Sequence, residues 1–435
     1  MKTTKLLVGT FLLAALTVFV GCNDDDKKPS ELSIVSIMAS GTDVLSGEAT
    51  EVDLNGASSA EGVPVDVVVK ITFDKDLDAE TVSETTVSIT DVATTVSASG
   101  ATLTITSTEE LARGTIYTLE IGALEASDGG TFTSTSRTFK TGGRAPVVAP
   151  NESSQLAFWK FDGDANDETG MYNPDYEANI EYVTDRHGEA NSAVLFDGDV
   201  SIIEVNNASD LMVERSGWTI SFWMKTDTLD NLNASGTGNA GQFVFGLGAF
   251  YGFRMEANGK FSDFNLSTRW EIDNGVDDPY TRGEGFSFNG DGNYNETGGW
   301  RGHSYEADLE SRGGLSSVMV NNWRHVVFTY DASSLTASIF IDGELMKEQQ
   351  YLLYDPHPQT SCVGWKYSGE EPNVFPDLAF GFVQSRRGEL WDTESYGNYD
   401  LPTSNHYKGE LDDFRIFSSA FTSEDVTDLY NAEKP

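Results

Sequence analysis

The hydrophobic and polar positions in the first third of the chain follow the short spacing of β-strands. Residues Val65–Phe73 are rich in β-branched side chains with partial alternation, and further segments of this kind follow, separated by Gly, Asp and Ser turns. They are Val87–Thr90, Ala101–Thr106, Tyr117–Ile121 and Thr133–Thr141. Repeated short strands without the 3.6-residue period of helices predict a β-sandwich of about 100 residues.

From Leu156 onward the predicted strands are longer and more aromatic. The segment Trp218–Lys225 alternates, so that Trp218, Ile220, Phe222 and Met224 are expected on one face. Residues Trp323–Asp331 and Ala337–Gly343 predict a hairpin, and Gly409–Phe417 predicts a closing strand. The second region is therefore also expected to be all-β.

A short helix is predicted at the end of the chain. Thr422 and Asp425 have the spacing of a capping box, and Val426, Leu429 and Tyr430 form an apolar stripe behind it. The two β regions are separated by a Pro-, Gly- and Ser-rich break at 143–154, which predicts a linker.

The N-terminus predicts export. Two lysines precede the apolar run Leu6–Val20, which is short for a bilayer span and typical of a signal peptide. Phe19-Val20-Gly21-Cys22 resembles the bacterial lipobox, which implies lipidation at Cys22, and the alternative is an ordinary signal peptide with a chance cysteine. Asn23–Asp26 resembles the export signal of Bacteroidetes-type surface lipoproteins, although an acidic run is also typical of a solvated linker. We expect a lipid-anchored outer-membrane protein that faces the cell exterior.

The charge of the chain narrows the range of partners. There are 28 Lys and Arg residues against 69 Asp and Glu residues, which gives a net charge of −41. Nucleic-acid binding requires a basic footprint that such a chain lacks. The overall charge also disfavours anionic lipid headgroups and polyanionic glycans, and leaves neutral sugars, divalent cations and other proteins.

Motifs in the first β region resemble a known domain. Ile71–Asp78, Glu110–Leu119 and Phe139–Gly142 are similar to segments of the bacterial Ig-like domain of the SbsA type. Domains of this kind usually act as spacers, so the resemblance implies a stalk.

Motifs in the second β region resemble the laminin G-like, concanavalin A-like jelly roll of bacterial surface proteins. In chain order they are Trp159–Asp162 with Asp167–Gly170, Gly188–Gly198, Ile220–Trp223, Trp323–Val326, Ile341–Gly343 and Gly409–Phe417. The resemblance implies two curved antiparallel sheets, a frequent lectin scaffold. The predicted organisation is a signal peptide at 1–21, an acidic tether at 22–30, an Ig-like domain at 31–142, a linker at 143–154 and a jelly roll at 155–435.

Two stretches exceed what we expect the jelly roll to need. Asp230–Ser317 and Lys347–His406 are interpreted as long insertions, rich in Gly, Asn and aromatic residues. Aromatic content argues for ordered loops, and flat rings beside polar groups suit sugar recognition. The candidate carbohydrate-binding residues are Trp270, Trp300, Trp365, Trp391, Tyr294 and Tyr396. The alternative is that these rings form a core for the insertions themselves.

Calcium is the expected cofactor. The turn Asp162–Gly170 concentrates oxygen ligands of the kind calcium prefers, although an acidic solvated turn would have the same composition. Relatives of the jelly roll often carry a structural calcium between an early turn and the last strand. By that resemblance the ligands would be Asp167 and Asp412, assisted by Asp164 or Asp413.

A catalytic motif is incomplete. Concanavalin A-like glycoside hydrolases carry paired carboxylates on one strand, and Glu271-Ile272-Asp273 begins in this way, but Asn274-Gly275 then predicts a turn. No catalytic residue is assigned, and whether the chain is an enzyme stays open. The main hypothesis is a surface lipoprotein that binds a neutral glycan; the alternatives are a protein-binding adhesion module and, third, a glycoside hydrolase or lyase.

Overall fold

Almost all regular structure in the protein is β-sheet. The computed structural model describes residues 30–44, 46–56, 58–213, 216–229, 236, 240–273, 278–295, 303–351, 362–369, 374–389 and 392–435. Over these residues two α-helices are present, α1 (Gly314–Met319) and α2 (Ser423–Glu433), together with short 3₁₀ turns. In this described part of the chain, no helix combines the length and apolar character that a bilayer crossing requires.

The first domain is a sandwich of short strands. They are β1 (Ile34–Thr42), β2 (Ala49–Asp53), β3 (Ser58–Val63), β4 (Val68–Phe73), β5 (Val87–Ile89), β6 (Thr94–Ser99), β7 (Thr102–Ser107), β8 (Ile116–Ile121), β9 (Leu124–Glu125), β10 (Thr131–Phe132) and β11 (Thr135–Thr141). One sheet has the order β2-β1-β4-β7-β6, and the facing sheet has the order β3-β11-β8-β5. A small ribbon pairs β9 with β10.

Alternation explains why these strands form a sandwich. In β4, Val69, Ile71 and Phe73 are buried while Lys70 between them is exposed. The buried residues of both sheets form one hydrophobic core that includes Leu103, Leu119 and Phe139. Apolar residues on the inner faces and polar residues outside are what a sandwich requires.

The second domain begins at β12 and contains the remaining strands. They are β12 (Gln155–Trp159), β13 (Tyr176–Ala178), β14 (Glu181–Val183), β15 (Ala193–Asp197), β16 (Ile202–Val205), β17 (Gly217–Thr226), β18 (Gln242–Leu247), β19 (Phe253–Ala257), β20 (Phe264–Ile272), β21 (Tyr280–Phe288), β22 (Tyr294–Asn295), β23 (Ser304–Glu306), β24 (Arg324–Asp331), β25 (Thr336–Ile341), β26 (Glu344–Gln350), β27 (Cys362–Trp365), β28 (Leu378–Phe380) and β29 (Lys408–Phe417).

These strands form two large sheets that face each other as in a jelly roll. The ten-stranded sheet has the order β14-β15-β29-β17-β24-β25-β26-β23-β22, with β12 also paired to β29. The eight-stranded sheet has the order β13-β16-β28-β18-β19-β20-β21, with β27 paired to β20. The predicted fold class, an Ig-like sandwich followed by a jelly roll and a short C-terminal helix, is confirmed.

Individual predictions for the ten-stranded sheet are also confirmed. Trp218, Ile220, Phe222 and Met224 all enter the core between the two sheets. The hairpin of β24 and β25 pairs Val326 with Ile341 through Asp331 with Thr336. At the start of α2, the Thr422 hydroxyl accepts from the Asp425 backbone N–H, and the reciprocal bond completes the capping box.

The interpretation of 230–317 and 347–406 as insertions is wrong for most of the described residues. The first stretch supplies β18, β19, β20 and β21, and the second supplies β27 and β28, all of which belong to the eight-stranded sheet. These strands are separated by Gly- and Asn-rich turns, whose composition dominates the stretch and masks its alternation. Phe264, Leu266, Trp270 and Ile272 of β20 enter the core between the sheets.

The outer faces of the two sheets are covered differently. On the ten-stranded sheet, Val426 and Leu429 of α2 pack with Phe417, Phe340 and the linker residue Ala149. On the eight-stranded sheet, a smaller apolar cluster joins Phe243 and Ala379 to Phe382 and Val383, which follow β28. The chain after β28 therefore covers part of the outer face of its own sheet.

Candidate functional site

A row of directly paired residues crosses the outer face of the eight-stranded sheet. From β13 to β21 the row consists of Tyr176, Glu204, Ala379, Gly246, Arg254, Ser267 and Gly285. Its middle is covered, because a Cβ atom on Gly246 would collide with the backbone carbonyl of Val383. The end of the row on β19, β20 and β21 borders a groove.

This groove has a volume of about 350 Å³. Its lining residues on the outer face are Phe250, Arg254, Ser267, Arg269, Gly283 and Gly285, and we call it the β19–β21 groove. Gly283 pairs with Arg269 and Gly285 pairs with Ser267, so two glycines of β21 face the polar residues of β20. Because these glycines have no side chains, the backbone of β21 forms an open floor of the groove. The polar side chains of β20 form the polar wall beside it.

Asn265 is fixed at one end of the groove. Its Nδ2 donates to Ser267 Oγ at 2.7 Å and to Glu256 Oε1 at 3.1 Å, while its Oδ1 accepts from Ser287 Oγ at 3.4 Å. A Cβ atom on Gly285 would lie 2.7 Å from Asn265 Oδ1, so glycine is what allows the carboxamide to lie over β21. A polar group held in this way is preorganised for a ligand.

Two arginines stand over aromatic rings at the other end of the groove. The Arg254 guanidinium lies 4.6 Å from the centre of the Phe250 ring, and its Nε lies 3.4 Å from Glu256. The Arg269 guanidinium lies 5.2 Å from the centre of the Tyr251 ring, and its Nε donates to the Phe250 carbonyl at 2.9 Å. The turn at residues 249–251 therefore positions both arginines, and the Phe250 ring is 43% exposed beside them.

Tyr396 is the sequence-predicted aromatic that lies near this surface. Burial and the nearby Glu394 raise its pKa, and it also interacts electrostatically with Arg254 and Glu256. Its side chain is 38% exposed. The prediction that Tyr396 contributes to sugar binding stays compatible with its position.

The assignment of Trp270 and Trp365 to a sugar site is corrected by their placement. Trp365 is fully buried and is sandwiched between Trp218, at 4.4 Å between ring centres, and Phe253, at 5.3 Å. Trp270 is 2% exposed and packs on Tyr330 at 4.4 Å. Since neither ring has a free face for a pyranose, both are residues of the core between the sheets.

Of the other three predicted aromatics, the structure describes Tyr294, which does not line the groove. Tyr294 is 59% exposed but belongs to β22, at the edge of the ten-stranded sheet, with His303 at 5.5 Å between ring centres. Trp300 and Trp391 lie outside the described residues, as does the predicted lipidation site Cys22.

In the early turn, the buried carboxylate predicted to bind calcium is engaged by hydrogen-bond donors. Asp167 is buried, and its Oδ1 accepts from the Phe158 N–H at 2.7 Å. Its Oδ2 accepts from the N–H groups of Met171 and Tyr172, both at 3.1 Å, and from the Thr169 hydroxyl. Asp164 is exposed, and its Oδ1 accepts from the Asn166 N–H at 2.9 Å. The Asp167 carboxylate shapes the turn by accepting these four hydrogen bonds.

In the last strand, β29, the two aspartates that the resemblance implies as calcium ligands contact arginine side chains. Arg186 is buried and donates to both Asp412 and Asp413, while Arg144 of the linker lies 2.7 Å from Asp413 Oδ2. We call these four residues the buried ion-pair cluster. Burial raises the pKa of Asp413, but the Arg186 and Arg144 guanidiniums outweigh it and hold that pKa below the usual range. Burial and the neighbouring Asp413 raise the pKa of Asp412.

The donor set predicted for calcium therefore does not fit the ion. Two guanidiniums already provide the positive charge beside Asp412 and Asp413, and Asp167 is satisfied by N–H and O–H donors. In the described residues, no group of three or more His, Cys, Asp or Glu side chains is arranged to hold a metal ion.

A larger cavity of about 600 Å³ lies at the junction of the two domains. Six of its charged side chains form pairs: Arg144 with Asp413 at 2.7 Å, Lys160 with Glu168 at 3.0 Å, and Arg113 with Glu189 at 3.7 Å. The Arg113 pair connects the Ig-like domain to the jelly roll, the Arg144 pair connects the linker to it, and the Lys160 pair lies within the jelly roll. The junction is thus built for domain contact, and the smaller β19–β21 groove is the better candidate for a ligand.

Two arrangements that suggest catalysis are buried. Glu271 is 5% exposed and pairs with Lys366 at 2.8 Å, and β20 ends at Ile272, before a second carboxylate could share its face. Ser221 Oγ lies 2.8 Å from His325 Nε2, which resembles a nucleophile and base. Ser221 is 1% exposed and His325 fully buried, so a substrate cannot reach them.

Sequence reasoning missed four lining residues of the groove, Phe250, Arg254, Ser267 and Arg269, and the neighbouring Asn265. The signal was present in β20, where Phe264, Leu266 and Trp270 alternate with Asn265, Ser267 and Arg269. The apolar set marks the core face, so the polar set marks the outer face. What the pattern could not indicate is that two glycines of β21 lie opposite this polar set.

Comparisons with known families agree with the two folds. Residues 50–141 match the profile of the bacterial Ig-like domain. Residues 268–373 match the profile of the concanavalin A-like lectin/glucanases superfamily. No curated protein sequence matches the chain.

Several solved structures are distantly similar to the chain. The binding domain of botulinum neurotoxin serotype D is 13% identical over 64% of this chain and 52% of its own, with a TM-score of 0.38. The receptor binding domain of the C/D mosaic serotype is 14% identical over 65% and 52%, with a TM-score of 0.39. The serotype D ligand binding domain in complex with N-acetylneuraminic acid is 16% identical over 64% and 51%, with a TM-score of 0.39. The chain spans about half the length of each of these structures.

Both resemblances expected from the sequence motifs are thus confirmed at the level of the domains. The protein combines a bacterial Ig-like domain with a concanavalin A-like jelly roll.

Proposed function

We propose that the protein binds carbohydrate in the β19–β21 groove of its concanavalin A-like domain. The observation that carries the proposal is an open glycine floor beside preorganised polar side chains on the outer face of a lectin-type sheet. Sugar sites need a flat or aromatic surface together with a few fixed hydrogen-bonding groups. Phe250 provides the exposed ring, and Asn265, Ser267 and Arg269 provide the polar groups.

The polar wall has the chemistry that hydroxyl groups require. Asn265 and Ser267 have both donor and acceptor atoms, and Arg269 adds donors only. The three residues alternate along β20, so they stand in line at the spacing of every second residue. These side chains can contact successive hydroxyl groups of a sugar along β20. The glycines allow the sugar ring to approach the backbone of β21.

The rest of the chain fits a role in displaying this domain. The Ig-like sandwich precedes the jelly roll, and charged pairs connect them at the junction. We further propose that Cys22 is lipidated, that the protein is held at the outer membrane facing the exterior, and that the Ig-like domain acts as a spacer. The support for this part is the lipobox-like segment and the acidic residues that follow it.

The test is affinity electrophoresis of the purified protein through gels that contain neutral or acidic polysaccharides. We expect retardation by at least one polysaccharide, and Asn265→Ala should weaken it about fivefold or more, because a hydrogen bond contributes about 1 kcal/mol. Asn322→Ala is the matched control, since Asn322 is an exposed asparagine in the turn before β24 of the other sheet.

Three other outcomes would count against the proposal. Absence of retardation by every polysaccharide would favour the adhesion module, which a pull-down of extracellular proteins would then identify. Retardation that Asn265→Ala leaves unchanged would put the sugar site elsewhere. Release of reducing ends from a polysaccharide, abolished by one carboxylate substitution, would favour a hydrolase.

A further inference from the structure

We propose that the sugar recognised in the β19–β21 groove carries an anionic group, a carboxylate or a sulfate ester, and that Arg269 is the residue that recognises it. This inference rests on the proposed function and names the substrate class of the same site. It departs from the expectation of a neutral glycan, which was based on the charge of the whole chain.

Arg269 has few hydrogen bonds to the protein. Its Nε donates to the Phe250 carbonyl at 2.9 Å, and this is the hydrogen bond that its guanidinium makes within the described residues. Both Nη atoms are thus left for a ligand. A guanidinium presents a planar fork of donors that matches the two oxygens of a carboxylate or sulfate.

The Arg269 guanidinium is held in place by its neighbours. It lies 5.2 Å from the centre of the Tyr251 ring, and its Nη1 would be 3.5 Å from a Cβ atom on Gly283. The side chain is therefore packed between an aromatic ring and a glycine of the neighbouring strand, and is only partly exposed. Because the fork is held before a ligand arrives, less side-chain entropy is lost on binding.

The local charge of the groove differs from that of the whole chain. The chain carries 69 acidic residues against 28 basic ones, yet the charged lining residues of the groove are Arg254, Arg269 and Glu284. Glu284 is engaged by Arg282, whose Nε lies 3.2 Å from its Oε1. Arg254 pairs directly with Ser267, two residues from Arg269 on the same face, so the two arginines are diagonal neighbours. Arg254 lies 3.4 Å from Glu256, whereas the Arg269 Nε donates to the Phe250 carbonyl, so it is the Arg269 guanidinium that attracts an anion locally although the whole chain repels it.

A neutral sugar would use this site less well. Hydroxyl groups can accept from a guanidinium, but charge-assisted hydrogen bonds are about twice as strong as neutral ones. Glu256 beside Arg254 offsets part of the like-charge repulsion between Arg254 and Arg269, and an anionic ligand on Arg269 offsets more of it.

The experiment compares matched ligands that differ only in charge. Titration calorimetry of the purified protein at low salt would use a uronic acid oligosaccharide and the same oligosaccharide after reduction of its carboxyl groups. A sulfated galactan oligosaccharide and its desulfated form make the second pair. We expect the anionic member of at least one pair to bind about tenfold more tightly or better, and the pair that responds identifies the anion as carboxylate or sulfate.

Substitutions test whether the preference for an anionic sugar depends on Arg269. Arg269→Gln should remove the preference for the anionic member of the pair, and Arg269→Lys should restore part of it, because lysine keeps the charge but loses the fork. Arg312→Gln is the matched control, since Arg312 is an exposed arginine that pairs with Glu344 on the other sheet. Each variant is first compared with the parent by thermal unfolding.

The outcomes separate this inference from the proposed function. Equal binding of the charged and neutral members, with loss of both in Asn265→Ala, would overturn the anionic assignment and leave carbohydrate binding in place. An anionic preference that survives Arg269→Gln would overturn the role of Arg269. Failure of all four oligosaccharides to bind, together with an absence of retardation by every polysaccharide, would overturn both.

Discussion

Two parts of the jelly roll bring arginines together, and they use them in opposite ways. In the buried ion-pair cluster, Arg186 and Arg144 are met by the carboxylates of Asp412 and Asp413. In the β19–β21 groove, Arg269 has a carbonyl at its Nε, and its Nη atoms have no protein acceptor in the described residues. The guanidiniums of Arg186 and Arg144 are neutralised by carboxylates of the protein. The guanidinium of Arg269 is held in place by the protein and is available to a ligand.

This difference shows how a structural arginine can be distinguished from a ligand-binding arginine in an acidic chain. With 69 acidic side chains available, an arginine within reach of a carboxylate is the ordinary case. Arg186 follows it: it is buried, stacks at 4.3 Å on the Trp223 ring and donates to the Glu433 carbonyl at 3.0 Å. An arginine whose surroundings supply an aromatic ring and a glycine, and no carboxylate, is the exception that indicates a ligand.

The largest effect is expected where charge is buried. Arg186→Met removes the cation between Asp412 and Asp413 and leaves two buried carboxylates with less compensation, so the free energy of unfolding should fall by about 3–5 kcal/mol. Arg269→Met in the groove should change it by less than about 1 kcal/mol, because no ion pair is broken there. Urea unfolding followed by tryptophan fluorescence measures both, and equal effects would contradict the comparison.

The next largest expected effect is a pH dependence of the free energy of unfolding, which arises from a buried histidine. His325 is fully buried, and burial together with the charges of Arg186 and Arg415 lowers its pKa to about 3. The unfolded chain, with an ordinary histidine pKa near 6.5, therefore binds the proton first, and stability falls as the pH falls from about 6.5 toward 3. Between pH 7 and pH 5 the loss from this one group is about 2 kcal/mol.

Urea unfolding at the two pH values checks this expectation. His325→Gln should remove about that much of the difference, and an unchanged pH dependence in the variant would rule out His325 as its source.

A smaller effect is expected from the glycines of β21. Gly285→Ala places a Cβ 2.7 Å from Asn265 Oδ1 and must displace the carboxamide, so glycan binding should weaken about fivefold while thermal stability is kept. Gly56→Ala is the control, because Gly56 is exposed in the Ig-like domain and a Cβ atom there would meet nothing within 4 Å. Calorimetric titration of both variants gives the ratio, and equal binding by Gly285→Ala and Gly56→Ala would contradict the assignment of Asn265.

The smallest effect is expected from calcium. Since Arg186 and Arg144 already compensate Asp412 and Asp413, the melting temperature should be the same in EDTA and in millimolar calcium, to within about 1 °C. Differential scanning fluorimetry makes this comparison. A rise of several degrees with calcium would show that other oxygen atoms bind the ion and that the arginines do not replace it.

Much of the fold could be predicted because its signals are local. Alternation in β17, the β24–β25 hairpin and the capping box at Thr422 each depend on residues within one or two elements. The strands β18 to β21 were missed because turn-like Gly and Asn residues surround them, although Phe264, Leu266 and Trp270 already alternate. The missing information was which stretch pairs with which, and pairing in a sheet is not local.

The candidate site was predictable only in part. Tyr396 lies near the groove, but Trp270 and Trp365 belong to the core. Composition marks a tryptophan as suited to sugars, but whether its face is open depends on what packs against it. For Trp365 that is decided by Trp218, which comes almost 150 residues earlier in the chain.

The sequence by itself determined that the protein is all-β, that it has two domains with a break between them, and that its overall charge is strongly negative, because periodicity, composition and charge are properties of the chain alone. The tertiary structure decided which charges are cancelled and which remain. Asp412 and Asp413 meet Arg186, more than 220 residues away, whereas Arg269 meets Tyr251 and the open floor at Gly283. Electrostatic energy depends on distance in space and on burial, and neither can be read from the order of residues.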